Sequence, residues 1–298
     1  MDSVLTLLAG RDAPLAERDV RLARYALGEL GADVGQPDWL AEDIACDLRF
    51  TGVDVAPAQA AAIVALDGLP LDVVAQPLEF RRKSLLIADM DSTIVEGETL
   101  DELAALAGVG DRVAPITARA MNGEIGFADA LRERVALLKG HPADLIDRVL
   151  DAMAISPGAE PAVRTMRANG ARCVLISGGF TMFTERVRDR VGFDVAEGNT
   201  LDVAEGRLTG TVSEPILGKE RKLESLREHT AERGIDPAAT MAVGDGANDL
   251  PMLQAAGLGV AYRAKPTVRQ KVRARLDHAD LTGLVYLQGY RQSEIVTA

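Results

Sequence analysis

Cysteine is nearly missing from this chain. Cys46 and Cys173 are the only two in 298 residues, and they form neither a C-x-x-C pair nor a zinc spacing. Nothing suggests a disulfide framework, so a reducing compartment, the cytoplasm, is expected. Cys173 falls in the apolar run "ARCVLIS" and reads as a small core residue. Long apolar runs are missing as well. The N-terminal "SVLTLLAG" is too short to cross a membrane, and no basic segment precedes it. Positive charge is in deficit: 33 Lys and Arg face 45 Asp and Glu, a formal charge of −12. That balance argues against a nucleic-acid partner, which would call for a basic patch. A small anionic substrate stays open, because a cationic pocket can sit inside an acidic protein. There is no internal repeat and no low-complexity tract.

What the chain does have is apolar residue enough, 47%, to build a sizeable core. Two patterns divide it. Residues 1–80 place strand-like "SVLTLLAG", "DIACDLRFTG" and "LDVVAQP" around helix-like "LAERDVRLARYALGELGA" and "APAQAAAIVALDG". This order predicts a small α+β domain. "DIACDLRFTG" alternates as a strand with one buried face would. "EFRRKS" reads as a charged connection into the next unit.

From residue 84 the runs "SLLIAD", "ARCVLIS", "TMAVGD" and "GLGVAY" alternate with helical segments. Such runs predict an α/β fold with a Rossmann-like parallel sheet covered on both faces. The stretch from about 95 to 160 is too long to be a structureless loop and is rich in helix formers. It predicts a helical insert that caps a site. "GNTLDVAEGRLTGTV" reads as a hairpin turning near Glu205 and Gly206.

In a parallel sheet, ligands bind beyond the carboxyl ends of the strands. Asp89 and Asp91 follow the first run, Ser177, Gly178 and Gly179 the second, and Gly244 to Asp249 the third. Asp89, Asp91, Asp245 and Asp249 would then share one crevice. Four carboxylates repel one another unless a cation sits among them. Oxygen-only ligands favour Mg²⁺, and no His or Cys in these motifs speaks for zinc. Asp89 and Asp91 stand at i and i+2, so extended backbone points both the same way. One carboxylate can attack a phosphoryl group while the other handles protons. "SGGF" reads as the opening of a helix, where Ser177 and the Gly178 N–H can donate to phosphate oxygens. A phosphoryl group also needs a nearby cation besides the metal, and Lys219 and Lys222 both qualify by position.

"DMDST", "SGGF", the lysine and "GDGANDLPML" together resemble the haloacid dehalogenase superfamily of aspartate-nucleophile phosphatases. The resemblance covers about residues 84–285. It implies a phosphatase core over 84–290 with a helical cap insert at about 95–160. It implies that Asp89 is the nucleophile and Asp91 the general acid/base. Mg²⁺ would be held by Asp89, the Asp91 backbone carbonyl and Asp245, with Asp249 in support. Ser177, Gly178 and Lys222 would grip the phosphate, and Asn248 would orient it. Lys222 is preferred over Lys219 because its distance to "GDGAND" fits the family. Within the family, the cap motifs resemble those of members acting on L-phosphoserine. Glu98 would meet the substrate ammonium and Arg134 its carboxylate, with Met121 and Phe127 lining the pocket. Two other readings stand beside this one: a related capped enzyme acting on another small phosphate or on homoserine, and a regulatory protein on an inactive scaffold. Residues 1–80 resemble ACT-like modules, which bind amino acids and pair between subunits. "AGRDAP" lacks the glycine pattern of a sensor, so either a homodimer through this module or a structural role is expected in place of serine sensing.

Overall fold

The alternation in the first strand decides how the N-terminal part is built. In the computed structural model, which describes residues 2–10, 13–121 and 124–297, the elements β1 (Ser3–Ala9), α1 (Glu17–Glu29), β2 (Asp33–Val34), β3 (Asp38–Ala41), β4 (Ala45–Thr51), α2 (Val55–Ala65) and β5 (Leu71–Pro77) follow one another. β1 lies between β4 and β5, antiparallel to both, and β2 and β3 pair with β4. Successive side chains of a strand point to opposite faces. Leu5, Leu7, Leu48, Phe50 and Ala75 therefore share one face, where α1 and α2 cover them with Val20, Ala23, Leu27, Ala58 and Ala62.

The opposite face differs from the expectation for β4. Most of it does not meet solvent. Of β4's residues on this face only Arg49 and Thr51 are exposed, whereas Thr6, Asp47, Asp72 and Gln76 are all buried. They face the rest of the chain. Leu8, Ala45 and Val74 join a cluster with Leu284, Val285, Tyr286 and Leu287. Asp72 accepts from the backbone N–H groups of Asp277, His278 and Ala279. Arg81, from the segment that reads as a charged connection, is buried too. It donates twice to Asp47, at 2.7 and 2.8 Å, and to the Leu287 carbonyl at 2.9 Å. The cause is pairing: a buried carboxylate is tolerable only with a partner. Arg81→Met should leave Asp47 uncompensated and lower unfolding free energy by about 3–5 kcal/mol. Arg81→Met with Asp47→Leu should recover most of it. Urea titration of the two variants checks this, and equal losses would refute it.

The second sheet begins at β6 (Leu85–Asp89). The insert follows as α3 (Thr99–Leu106), α4 (Gly110–Met121), α5 (Phe127–Ala136) and α6 (Leu145–Ala152). Next come α7 (Ala159–Ala168), β7 (Arg172–Phe180), α8 (Thr181–Val191) and β8 (Val195–Asn199). The expected hairpin is β9 (Leu201–Ala204) with β10 (Arg207–Val212). The chain ends with α9 (Lys219–Glu232), β11 (Thr240–Gly244), α10 (Leu250–Ala255), β12 (Leu258–Tyr262), α11 (Pro266–Arg269), β13 (Ala274–Leu276) and α12 (Gly283–Leu287).

The sheet order is β13-β12-β11-β6-β7-β8, with every neighbouring pair parallel. This is the mixed α/β architecture that the apolar runs predict. β6 is buried along its length, and its two faces feed two different clusters. Leu86 and Ala88 join one; Leu85 and Ile87 join the other. That is why its sequence is a continuous apolar run. The chain leaves β6 toward β7 and β8, then crosses to β11 on the other side. The order thus reverses beside β6, the place where open α/β sheets bind ligands. Both cysteines are buried. No helix among the described residues is long and apolar enough to cross a membrane.

Candidate active site

The strand ends converge as expected. A cavity of about 130 Å³ is lined by Asp89, Asp91, Glu98, Thr99, Leu100, Phe127, Leu131, Arg134, Ser177, Gly178, Gly179, Asp245, Asn248 and Lys265. The sheet supplies its floor and α3 and α5 of the insert supply one wall. The space suits a small solute, since drug-sized ligands occupy about 300 Å³ or more.

Asp89 ends β6 and is buried. Its Oδ1 accepts from Lys222 Nζ at 2.5 Å, and the same ammonium donates to Asp249 Oδ1 at 2.6 Å. Lys222 sits in the first turn of α9, which starts at Lys219. It is buried beneath the cavity, bridging two carboxylates, while Lys219 is exposed. Burial alone would lower the proton affinity of Lys222, but Asp249 and Asp89 outweigh it and hold the ammonium above its usual range. Burial pushes the Asp89 carboxyl well up, and the Asp249 charge pushes the same way. Asp245, at the end of β11, is raised by burial. Carboxylate oxygens of Asp89, Asp245 and Asp249 all lie within 4.8 Å of one another. These three buried groups form an all-oxygen donor set of the kind that hard divalent cations select.

Asp91 lines the same cavity but its carboxylate is not part of that cluster. Its backbone is extended, with φ −66° and ψ 136°, and the next residue, Ser92, turns left-handed at φ +56°. The turn sends the chain back so that α3 can approach. Asp91 Oδ1 accepts from the Thr99 N–H at 2.9 Å and Thr99 Oγ1 at 2.7 Å, and Oδ2 accepts from Ser177 Oγ at 2.9 Å. The two aspartates thus face one cavity with separate partners.

β7 stays extended to Phe180 and the helix begins only at Thr181, so "SGGF" belongs to the strand rather than opening α8. Crowding explains the glycines. A Cβ on Gly178 would lie 2.8 Å from the Phe127 ring, and one on Gly179 would lie 3.0 Å from Ser177 Oγ. Glu98 immediately precedes α3 and accepts from Ser92 Oγ at 2.9 Å. Burial, then the charge of Asp91, raises its carboxyl. Arg134, on α5, reaches the cavity, and burial lowers its proton affinity. The side chain of Met121 lies outside the described residues.

Thr99, Leu100, Leu131 and Lys265 are cavity residues that the sequence motifs do not announce. Lys265 stands three residues beyond β12, with Nζ 3.5 Å from Asp245 Oδ2. The end of the fourth apolar run marks its place, just as the ends of the first three mark the aspartates, Ser177 and the glycines.

The chain matches the haloacid dehalogenase-like hydrolase family over residues 86–254. A phosphoserine phosphatase of Archaeoglobus fulgidus is 44% identical over 218 residues, covering 72% of this chain and 63% of that protein. The chain thus spans less than two thirds of the length of that relative. Among solved structures, a probable phosphoserine phosphatase from Vibrio cholerae has TM-score 0.80 and 31% identity, covering 98% of this chain and 88% of the other. A phospho-aspartyl intermediate analogue of phosphoserine phosphatase has TM-score 0.64 and 36% identity, covering 69% of this chain and 98% of the other.

Proposed function

Since the chain belongs to the haloacid dehalogenase-like hydrolases, we propose that it is an Mg²⁺-dependent phosphatase that converts L-phosphoserine to L-serine and phosphate. This would be the closing step of serine biosynthesis, carried out in the cytoplasm. One observation carries the reading: Asp89 and Asp91 share a small cavity with Glu98 and Arg134 from the insert and Ser177 from the sheet. The substrate has an ammonium, a carboxylate and a phosphate, and the cavity offers a group of suitable sign for each. Arg134 can take the carboxylate as a planar fork, Glu98 the ammonium, and Phe127 the short carbon skeleton. Ser177, the Gly178 N–H and Lys222 serve the phosphate, with Asn248 orienting it. The names of the similar proteins support the same substrate.

Asp89, the Asp91 backbone carbonyl and Asp245 would hold the Mg²⁺, supported by Asp249. The bound ion would offset the negative charge gathered on the phosphoryl oxygens. The protein's own residues do the rest. A carboxylate oxygen of Asp89 bonds to phosphorus as the bond from phosphorus to the serine oxygen breaks, and Asp91 gives that oxygen its proton. Asp91 then takes a proton from water, whose oxygen attacks phosphorus and frees Asp89. The fold-related phospho-aspartyl analogue supports such an intermediate.

Phosphate release tests the reading. L-phosphoserine with Mg²⁺ should be hydrolysed faster than phosphothreonine or sugar phosphates, and excess EDTA should stop turnover. Equal rates across these esters would sink the substrate assignment, and full activity in EDTA would sink the metal.

A further inference from the structure

Two different parts of the molecule hold the carboxylate of Asp91, one on each oxygen. Thr99 takes Oδ1 with two donors, its backbone N–H and its Oγ1. Ser177 takes Oδ2 with one. Thr99 is the first residue of α3, the first helix of the insert, whereas Ser177 belongs to the sheet. Both are buried. Ser177 Oγ also accepts from the Gly179 N–H at 2.8 Å, which fixes the hydroxyl oxygen while leaving its hydrogen free to rotate. The cluster is tight. A Cβ on Gly179 would lie 3.2 Å from Asp91 Oδ2 and 3.5 Å from Thr99 Oγ1.

We propose that Thr99 is the positioning residue of the acid/base, and that seating of α3 is what aims Asp91 Oδ2 at the leaving oxygen. This rests on Asp91 being the acid/base, as above. The two oxygens are not equivalent. Oδ1 already accepts two hydrogen bonds from one residue. Oδ2 accepts one, from a hydroxyl that can turn to a phosphate oxygen when substrate arrives. Oδ2 is therefore the oxygen that carries the proton. It delivers that proton to the serine oxygen as the ester bond to phosphorus breaks. It takes one from water as the bond from phosphorus to Asp89 breaks. Without Thr99 Oγ1 each carboxylate oxygen keeps a single donor, so the hold on Oδ1 loosens and the proton is delivered less well in line. The insert then has two tasks at once: its side chains sort substrates, and the first residue of its first helix positions the acid.

The need for an acid depends on the leaving group. Serine leaves as a strongly basic alkoxide unless protonated, whereas p-nitrophenolate departs unaided. The ratio kcat/KM reports steps only up to that departure, so hydrolysis of the phospho-enzyme does not enter it. Thr99→Val keeps the size and the backbone donor but removes Oγ1. In the full chain its kcat/KM for L-phosphoserine should fall about 10–100-fold, a share of what acid catalysis supplies. For p-nitrophenyl phosphate the fall should be no more than about threefold, on the same grounds. Thr99→Ser should restore the former. Equal losses on both esters, or none on either, would overturn the proposal. If the wild-type protein hydrolyses a different alkyl phosphate, the substrate reading fails while the same contrast, run with that ester, still decides the role of Thr99.

Discussion

Asp89→Asn is expected to abolish turnover and yet leave the protein folded, with stability unchanged or raised. The amide cannot form the aspartyl-phosphate, so kcat should drop about 10⁴-fold or more, as for other lost nucleophiles. The stability side follows from the charges. Asp89 lies buried beside Asp249 and Asp245, and burial and repulsion push its carboxyl well up. Replacing it with a neutral group of the same shape removes one of three crowded negative charges. Lys222 keeps its bond to Asp249 at 2.6 Å and so remains paired. Phosphate release and a urea titration measure the two effects. Normal turnover would end the covalent mechanism, and a loss of several kcal/mol would show that the charge argument is wrong.

Lys222→Met should do the opposite to stability. The ammonium is the bridge between Asp89 and Asp249, and all three groups are buried. Removing it leaves two desolvated carboxylates facing each other. Breaking a buried pair in this way costs about 3–5 kcal/mol. The variant should also be inactive if, as proposed, Lys222 is the cation that serves the phosphate. In EDTA, urea unfolding of Lys222→Met should show that loss, and adding Asp89→Asn to it should return part of the stability. Strict additivity of the two changes would refute direct coupling, because residues in contact are non-additive.

The sheet centre is legible in the sequence because burial on both faces leaves no room for polar residues. β6, β7, β11 and β12 are such runs. β8 and β13 escape notice for the converse reason. β8, Val195–Asn199, is only partly buried at the sheet edge and includes Glu197 and Gly198, and β13 has three residues. The aspartates are legible because they stand directly after the runs. Their partners are not. That Asp91 turns to Thr99 depends on the left-handed turn at Ser92 that brings α3 back, and that Asp89 meets Lys222 depends on how a helix far along the chain docks; spacing encodes neither. Arg81 misleads for a related reason. Arginine in a charged stretch is usually solvated, and only the approach of the first sheet to the end of the chain buries it against Asp47.

The shared face between the first sheet and α12 constrains how such a protein can evolve. Leu284, Val285 and Leu287 are fully or almost fully buried there, together with Leu8, Ala45 and Val74. A lineage that lost residues 1–80 in one deletion would uncover that greasy surface and strand Arg81 without its carboxylate. Shedding or acquiring the N-terminal module is therefore not a single event. It requires matching substitutions at the far end of the chain, so the two ends are bound to change together.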